Sequence, residues 1–122
     1  MRLFTLLLFA SLAATSLEAA SYVQNDGTIV NPILDVTGVV HSYSGDNLKP
    51  LVDARGADLT GANLFIADLS DAVFEFAVLR NADMTDANLT RVNLVFSNIT
   101  EGQFLSGSSV TGVQLRLSVE KV

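Results

Sequence analysis

The chain predicts an all-β solenoid, on two observations. The first is a five-residue register from Ala57 to Ser106: ADLTG, ANLFI, ADLSD, AVFEF, AVLRN, ADMTD, ANLTR, VNLVF, SNITE, GQFLS. A short fixed period marks units that bury one face by stacking on each other. The second is the size pattern within a unit. Position one is Ala in seven successive units, then Val92, Ser97 and Gly102. Position three is always large and apolar: Leu59, Leu64, Leu69, Phe74, Leu79, Met84, Leu89, Leu94, Ile99 and Phe104. An amphipathic helix would space apolar residues near 3.6, and a half-buried strand would alternate them. Positions one and three share a face, as extended backbone requires, and the odd repeat length demands a corner between units. The small first residue leaves room inside for its large neighbour.

The elements follow in chain order. Met1-Arg2 and the apolar run Leu3–Ala14, broken by Thr5 and Ser11, precede the small-residue stretch ATSLEAAS. That is the pattern of a secretory signal peptide, with cleavage expected between residues 19 and 21. The run is too short to cross a bilayer, so an exported protein with no stable membrane anchor after cleavage is expected. The compartment beyond export is not specified. Residues 21–50 change composition: Gly27, Pro32, Gly38, Gly45 and Pro50 punctuate short β-branched runs. Strands are expected at Thr28-Ile29-Val30 and Val36–Val40, with turns near Asn31-Pro32 and Gly45-Asp46. This segment is expected to cap the N-terminal end of the solenoid with Ile33, Leu34, Val39 and Val40. Val52-Asp53-Ala54 is a degraded unit at the entry to the first coil. After Phe104 the register slips by one residue at Leu105-Ser106-Gly107 and resumes as SSVTG and VQLRL. The expected organisation is a leader over 1–20, a cap over 21–50, the solenoid over 51–117 and a tail over 118–122.

The repeat A(D/N)LXX resembles the pentapeptide-repeat family. The resemblance implies a right-handed quadrilateral β-helix with four units per coil, hence about three coils here. Residues twenty apart then stack: Leu59/Leu79/Ile99, Leu64/Met84/Phe104, Leu69/Leu89/Val110 and Phe74/Leu94/Leu115. Some relatives mimic DNA and bind DNA gyrase. That role is disfavoured here, because three coils give only roughly 14 Å of stacked strands and Asp71 is expected to stack on Arg91.

Composition narrows the chemistry. The chain has no cysteine, which excludes thiol catalysis and zinc–thiolate sites. Its net charge is −6, and loss of the leader removes one base, Arg2, and one acid, Glu18, leaving that value unchanged. Such a chain does not bind nucleic acid by counterion release. His41, the single histidine, is expected in a loop with hydrogen-bond partners, since a catalytic site needs several converging groups. The second-position Asp58, Asn63, Asp68, Asp83, Asn88, Asn93 and Asn98 suggest calcium. Twenty-residue stacking, however, sets Asp58 over Val78, Asn63 over Asp83 and Asp68 over Asn88. That arrangement forms no carboxylate column, so these side chains are expected to bond the turn backbone. The tripeptides Asn88-Leu89-Thr90 and Asn98-Ile99-Thr100 match a glycosylation sequon, which an ANLT repeat generates automatically.

No catalytic residue, cofactor or metal is therefore expected. One outward feature breaks the polar pattern: Val73, Phe76, Val95 and Phe96 lie in two units twenty residues apart, so the two rings should stack outside the core. Contiguous exposed apolar surface marks an interaction site, here for a homodimer or a protein partner; the competing expectation is that the chain's own cap or tail covers it. The expected function is that of a secreted, non-enzymatic structural or protein-binding module. A small-ligand-binding or enzyme-accessory domain is the alternative.

Overall fold

A computed structural model describes residues 19–100, 111–112 and 114–116. Residues 1–18 of the expected leader, Phe104, the register slip at 105–107, Val110 and the tail over 118–122 lie outside the described residues. The chain folds as a right-handed quadrilateral β-helix with a capping segment at its N-terminal end. Among the described residues, four short strands are continuous enough to name: β1 (Tyr22–Val23), β2 (Ile29–Val30), β3 (Asn93–Val95) and β4 (Gln114–Arg116). β1 and β2 pair antiparallel, and β3 and β4 pair parallel. The remaining contacts between coils are single parallel bridges, one per unit.

Those bridges fix the coil length. Asp53 pairs with Val73 and Val73 with Asn93; Asp58 pairs with Val78 and Val78 with Asn98; Asn63 pairs with Asp83 and Asp68 with Asn88. Each step is twenty residues. At the next step Asn93 faces Gln114, Leu94 faces Leu115 and Val95 faces Arg116, a spacing of twenty-one that absorbs the slip read after Phe104. Residues 52–54 form a complete rung on this ladder, although their sequence departs from the repeat by placing Val52 first and Ala54 third.

The repeat is explained by where its five backbone N–H groups go. Position one donates to position three of the preceding unit and closes a tight turn, as from Ala62 to Leu59 (3.0 Å) and from Val92 to Leu89 (3.1 Å). Position two donates toward the N-terminal end, as from Val78 to Ala57 (2.8 Å), while positions three and five donate toward the C-terminal end, as from Leu59 to Val78 (2.7 Å) and from Gly61 to Arg80 (2.8 Å). Position four is left over, and where position two is Asp or Asn its side chain takes it. Asp58 Oδ1 accepts the Thr60 N–H at 3.1 Å, Asp83 Oδ1 that of Thr85 at 3.0 Å and Asn88 Oδ1 that of Thr90 at 3.0 Å. A short side-chain oxygen two residues back therefore satisfies an amide that the ladder does not reach. Thr or Ser at position four adds a hydroxyl bond to the same oxygen, at 2.6 Å from Thr60 and 2.9 Å from Ser70.

The turn requires a left-handed residue at position five. Gly56 and Gly61 supply it without strain, at φ 68° and 70°. Ile66, Asp71, Phe76, Asn81, Asp86, Arg91 and Phe96 adopt it too, at φ between 50° and 61°. For residues with a Cβ this conformation costs about 1–2 kcal/mol each, and the ladder and core must hold it in place.

The core is the interior column. Leu59, Leu64, Leu69, Phe74, Leu79, Met84, Leu89 and Leu94 are buried at position three, and Ala62, Ala67, Ala72, Ala77, Ala82, Ala87 and Val92 are buried beside them. Burying each large side chain contributes about 1.5–3 kcal/mol. At the head of one column, small Ala54 sits over Phe74 and Leu94, a local exchange of large and small.

The segment from Ala20 to Leu48 covers the first coil on two of its four faces. Asn63 N–H donates to Leu34 and Asp68 N–H to Val23, both at 2.8 Å. Ile33 and Leu48 are fully buried, and Tyr22 is nearly so. The capping residues differ from expectation in part. Val39 and Val40 are exposed, at 61% and 54%, because Val36–Val40 forms a turn in place of a strand. The Asp35 carboxylate organises that turn by accepting the N–H groups of Thr37 (2.8 Å) and Val39 (3.0 Å). The strand expected at 28–30 is present as β2.

Candidate protein-binding surface

His41 can be assigned first. It is buried, Nε2–H donates to the Thr60 carbonyl at 2.7 Å, and Nδ1 accepts the Tyr43 N–H at 3.0 Å. Elsewhere on the ladder a position-four carbonyl accepts from the residue nineteen earlier, as Arg80 does from Gly61. Residue 41 is that partner for Thr60, and its ring stands in for the missing backbone donor. Both ring nitrogens are thus committed to the cap.

The second-position column stacks as its spacing predicts, with Asp58 over Val78, Asn63 over Asp83 and Asp68 over Asn88. Its oxygens serve the turns described above. Among the described residues, no group of three or more His, Asp or Glu side chains converges as a metal site would. Asp71 meets Arg91 in a two-pronged pair, both distances 2.7 Å. That hydrogen-bonded guanidinium holds the Asp71 carboxyl below its ordinary range.

The outward apolar residues come together only in part. Phe76 and Phe96 stack with ring centroids 5.4 Å apart and planes 24° from parallel. They occupy position five of successive coils, on the edge where one face turns into the next. Phe76 is 62% exposed and Phe96 37%. Above Phe76 the same position is Gly56, where even an added Cβ would meet nothing within 4 Å. The outer face of the Phe76 ring is therefore open, whereas Phe96 is shielded by Phe76.

The valines lie to one side. Val95 is partly covered at position four, beneath Glu75, and Val73 is partly covered at position two, between Asp53 and Asn93. Arg55 is bound to Asp53 at 3.0 Å and lies 4.0 Å from Glu75. This cluster separates Val73 from the rings. On the other side of the corner the next outward residue is Val78. The second-position Val of AVLRN is visible in the sequence, but its place on a corner shared with Phe76 follows only from the turn geometry.

The pentapeptide-repeat family model matches residues 67–102 in eight copies, so this stretch of the chain consists of pentapeptide repeats. Among solved structures, the chain is similar to HetL from the cyanobacterium Nostoc sp., a pentapeptide repeat protein involved in heterocyst differentiation regulation. The identity is 25%, over 52% of this chain and 32% of that one, with a TM-score of 0.39. This chain thus spans about a third of the length of that protein. A search of curated proteins gives no match.

Proposed function

We propose that the protein is exported and acts, without catalysis, as a binding module that presents the Phe76–Phe96 corner to another protein. The observation that carries this reading is the pair of stacked rings held in left-handed conformations at an outer edge. Position five accepts Gly, Asn or Asp at lower conformational cost. Two phenylalanines, stacked and exposed, are thus costly both in backbone conformation and in hydration. Aromatic anchors carry a disproportionate share of interface energy. Most other outward positions of the repeat are Asp, Asn, Thr, Ser or Arg, a surface that suits recognition better than turnover. Export is supported by the charged start, apolar run and small-residue exit of residues 1–20.

The test is capture of partners from the extracytoplasmic fraction with the mature protein, beside the Phe76→Ser/Phe96→Ser variant. The variant is expected to fold and to lose the partner or its self-association, read by light-scattering mass. Retained capture and unchanged mass would refute the assignment of that corner. N-terminal sequencing should begin between residues 20 and 22; recovery of the chain with Met1 intact in membranes would refute export.

A further inference from the structure

Among the described residues, the first coil is capped on two faces and open on the other two, and the open groups form a pattern. On a capped face, a position-five carbonyl and the position-two N–H two residues later bond together to one antiparallel strand. The Gly61 carbonyl accepts from Val36 N–H while Asn63 N–H donates to the Leu34 carbonyl, both at 2.8 Å, with Asp35 opposite Ala62. The Ile66 carbonyl accepts from Asn25 N–H (2.9 Å) while Asp68 N–H donates to the Val23 carbonyl (2.8 Å), with Gln24 opposite Ala67. The equivalent groups on the remaining faces are the Leu51 carbonyl with Asp53 N–H, and the Gly56 carbonyl with Asp58 N–H. Among the described residues, none bonds to any of these four. The corners share one conformation, with φ 69° at Leu51 and 68° at Gly56 against 70° at Gly61.

Two further observations fall at the first of these pairs. An open groove of about 410 Å³ is lined by Asp46, Asn47, Lys49, Leu51, Val52 and Asp53. Leu51, at its rim, is 75% exposed in a left-handed conformation that a branched side chain rarely adopts. Main-chain groups spaced for one strand, an adjoining groove and an exposed apolar side chain are the parts of a strand-addition site.

We propose that the Leu51–Asp53 edge receives an extended segment of a partner protein that carries basic side chains, with the Gly56–Asp58 pair available one corner further on. The segment's backbone bonds to the Leu51 carbonyl and Asp53 N–H, and its alternate side chains reach Leu51 and the groove. Charge selects the occupant. Asp46 and Asp53 line the groove and Asp58 lies beside the second pair. The nearby cations are Lys49 and Arg55; Arg55 and Asp53 offset each other through two hydrogen bonds, and Asp46, Asp58 and Glu75, which lies 4.0 Å from Arg55, leave an acidic excess over Lys49. A second copy would fit the hydrogen-bond pattern, with Val52 opposite Val52 and Leu51 opposite Asp53, but it would bring together two chains each of charge −6. The inference rests on the reading of the protein as a binding module, but not on the Phe76–Phe96 corner.

The experiment uses the ¹⁵N-labelled protein and the peptide Thr-Val-Lys-Val-Lys-Val-Thr. Amide resonances over Leu51–Asp53 are expected to shift, and hydrogen exchange at the Asp53 amide to slow by about tenfold or more. Replacing both peptide lysines by Glu should weaken binding by about tenfold, and N-methylation at alternate peptide residues should abolish it. The Phe76→Ser/Phe96→Ser variant should bind the peptide as the parent does, which separates this edge from the aromatic corner. Any of four results would overturn the proposal: no change at these amides at about millimolar peptide, equal binding of the N-methylated peptide, perturbation confined to Phe76 and Phe96, or protection of Asp53 that tracks a doubling of mass without peptide.

Discussion

At the scale of single residues, position two of the repeat does the least obvious work. Where it is Asp or Asn, its side-chain oxygen receives the amide that the ladder leaves over. Replacing Asn88 by Ala should therefore cost about 1 kcal/mol, measured by denaturant unfolding. Asp58 carries the same duty with a charge. Hydrogen bonds from the Thr60 side chain, then from its backbone, hold the Asp58 carboxyl below the ordinary range against a smaller opposing effect of burial. A carboxyl depressed on folding stabilises the protein above its unfolded pKa, and that contribution is lost as pH falls through the folded value. Asp58→Asn keeps the acceptor and removes the titration. Its Tm should match the parent near neutrality and fall less steeply below about pH 4, and an acid slope identical to the parent's would refute this role. At position three the demand is burial: Leu79→Asp should cost several kcal/mol and unfold the domain, while the same change at exposed Phe65 should be tolerated.

At the scale of the unit, the small first residue, the large third and the left-handed fifth are one device. Ala82→Leu should overpack the column and cost about 1–3 kcal/mol. Gly61→Val should cost about 1–2 kcal/mol through its φ alone, since an added Cβ there meets no atom within 4 Å; chemical denaturation measures both. Positions one and three were legible in the sequence because burial tolerates few residue types. Position five was not, since the chain places Gly, Ile, Asp, Phe, Asn and Arg there. The shared requirement is a backbone angle, enforced by neighbours, that leaves no common side chain. For the same reason Phe76 and Phe96 could be paired from the spacing alone, whereas their place on a corner, with Val78 around it and Glu75 beside it, required the turn geometry. The cap was the least legible part. Val39 and Val40 looked like core on hydrophobicity, but Asp35 draws that stretch into a turn and exposes them, and Tyr22, Ile33 and Leu48 provide the apolar seal.

At the scale of the molecule, the twenty-residue coil links fold to surface. It brings Phe76 to Phe96, sets Asp71 against Arg91, and, among the described residues, leaves the first coil sealed on two faces and open on two. His41 belongs to this scale as well. Removing its ring in His41→Ala should unpair the Thr60 carbonyl and speed hydrogen exchange in the cap before the lower coils, and uniform acceleration would contradict this placement. Each feature of the outer surface depends on the coil length, so the account is tested most directly by nuclear Overhauser contacts between coils in the labelled protein. Contacts are expected from Leu59 to Leu79, from Leu79 to Ile99 and between the rings of Phe76 and Phe96, all twenty residues apart, with Leu94 meeting Leu115 at twenty-one. A dominant set at any other spacing, or no contact between the two rings, would contradict the account.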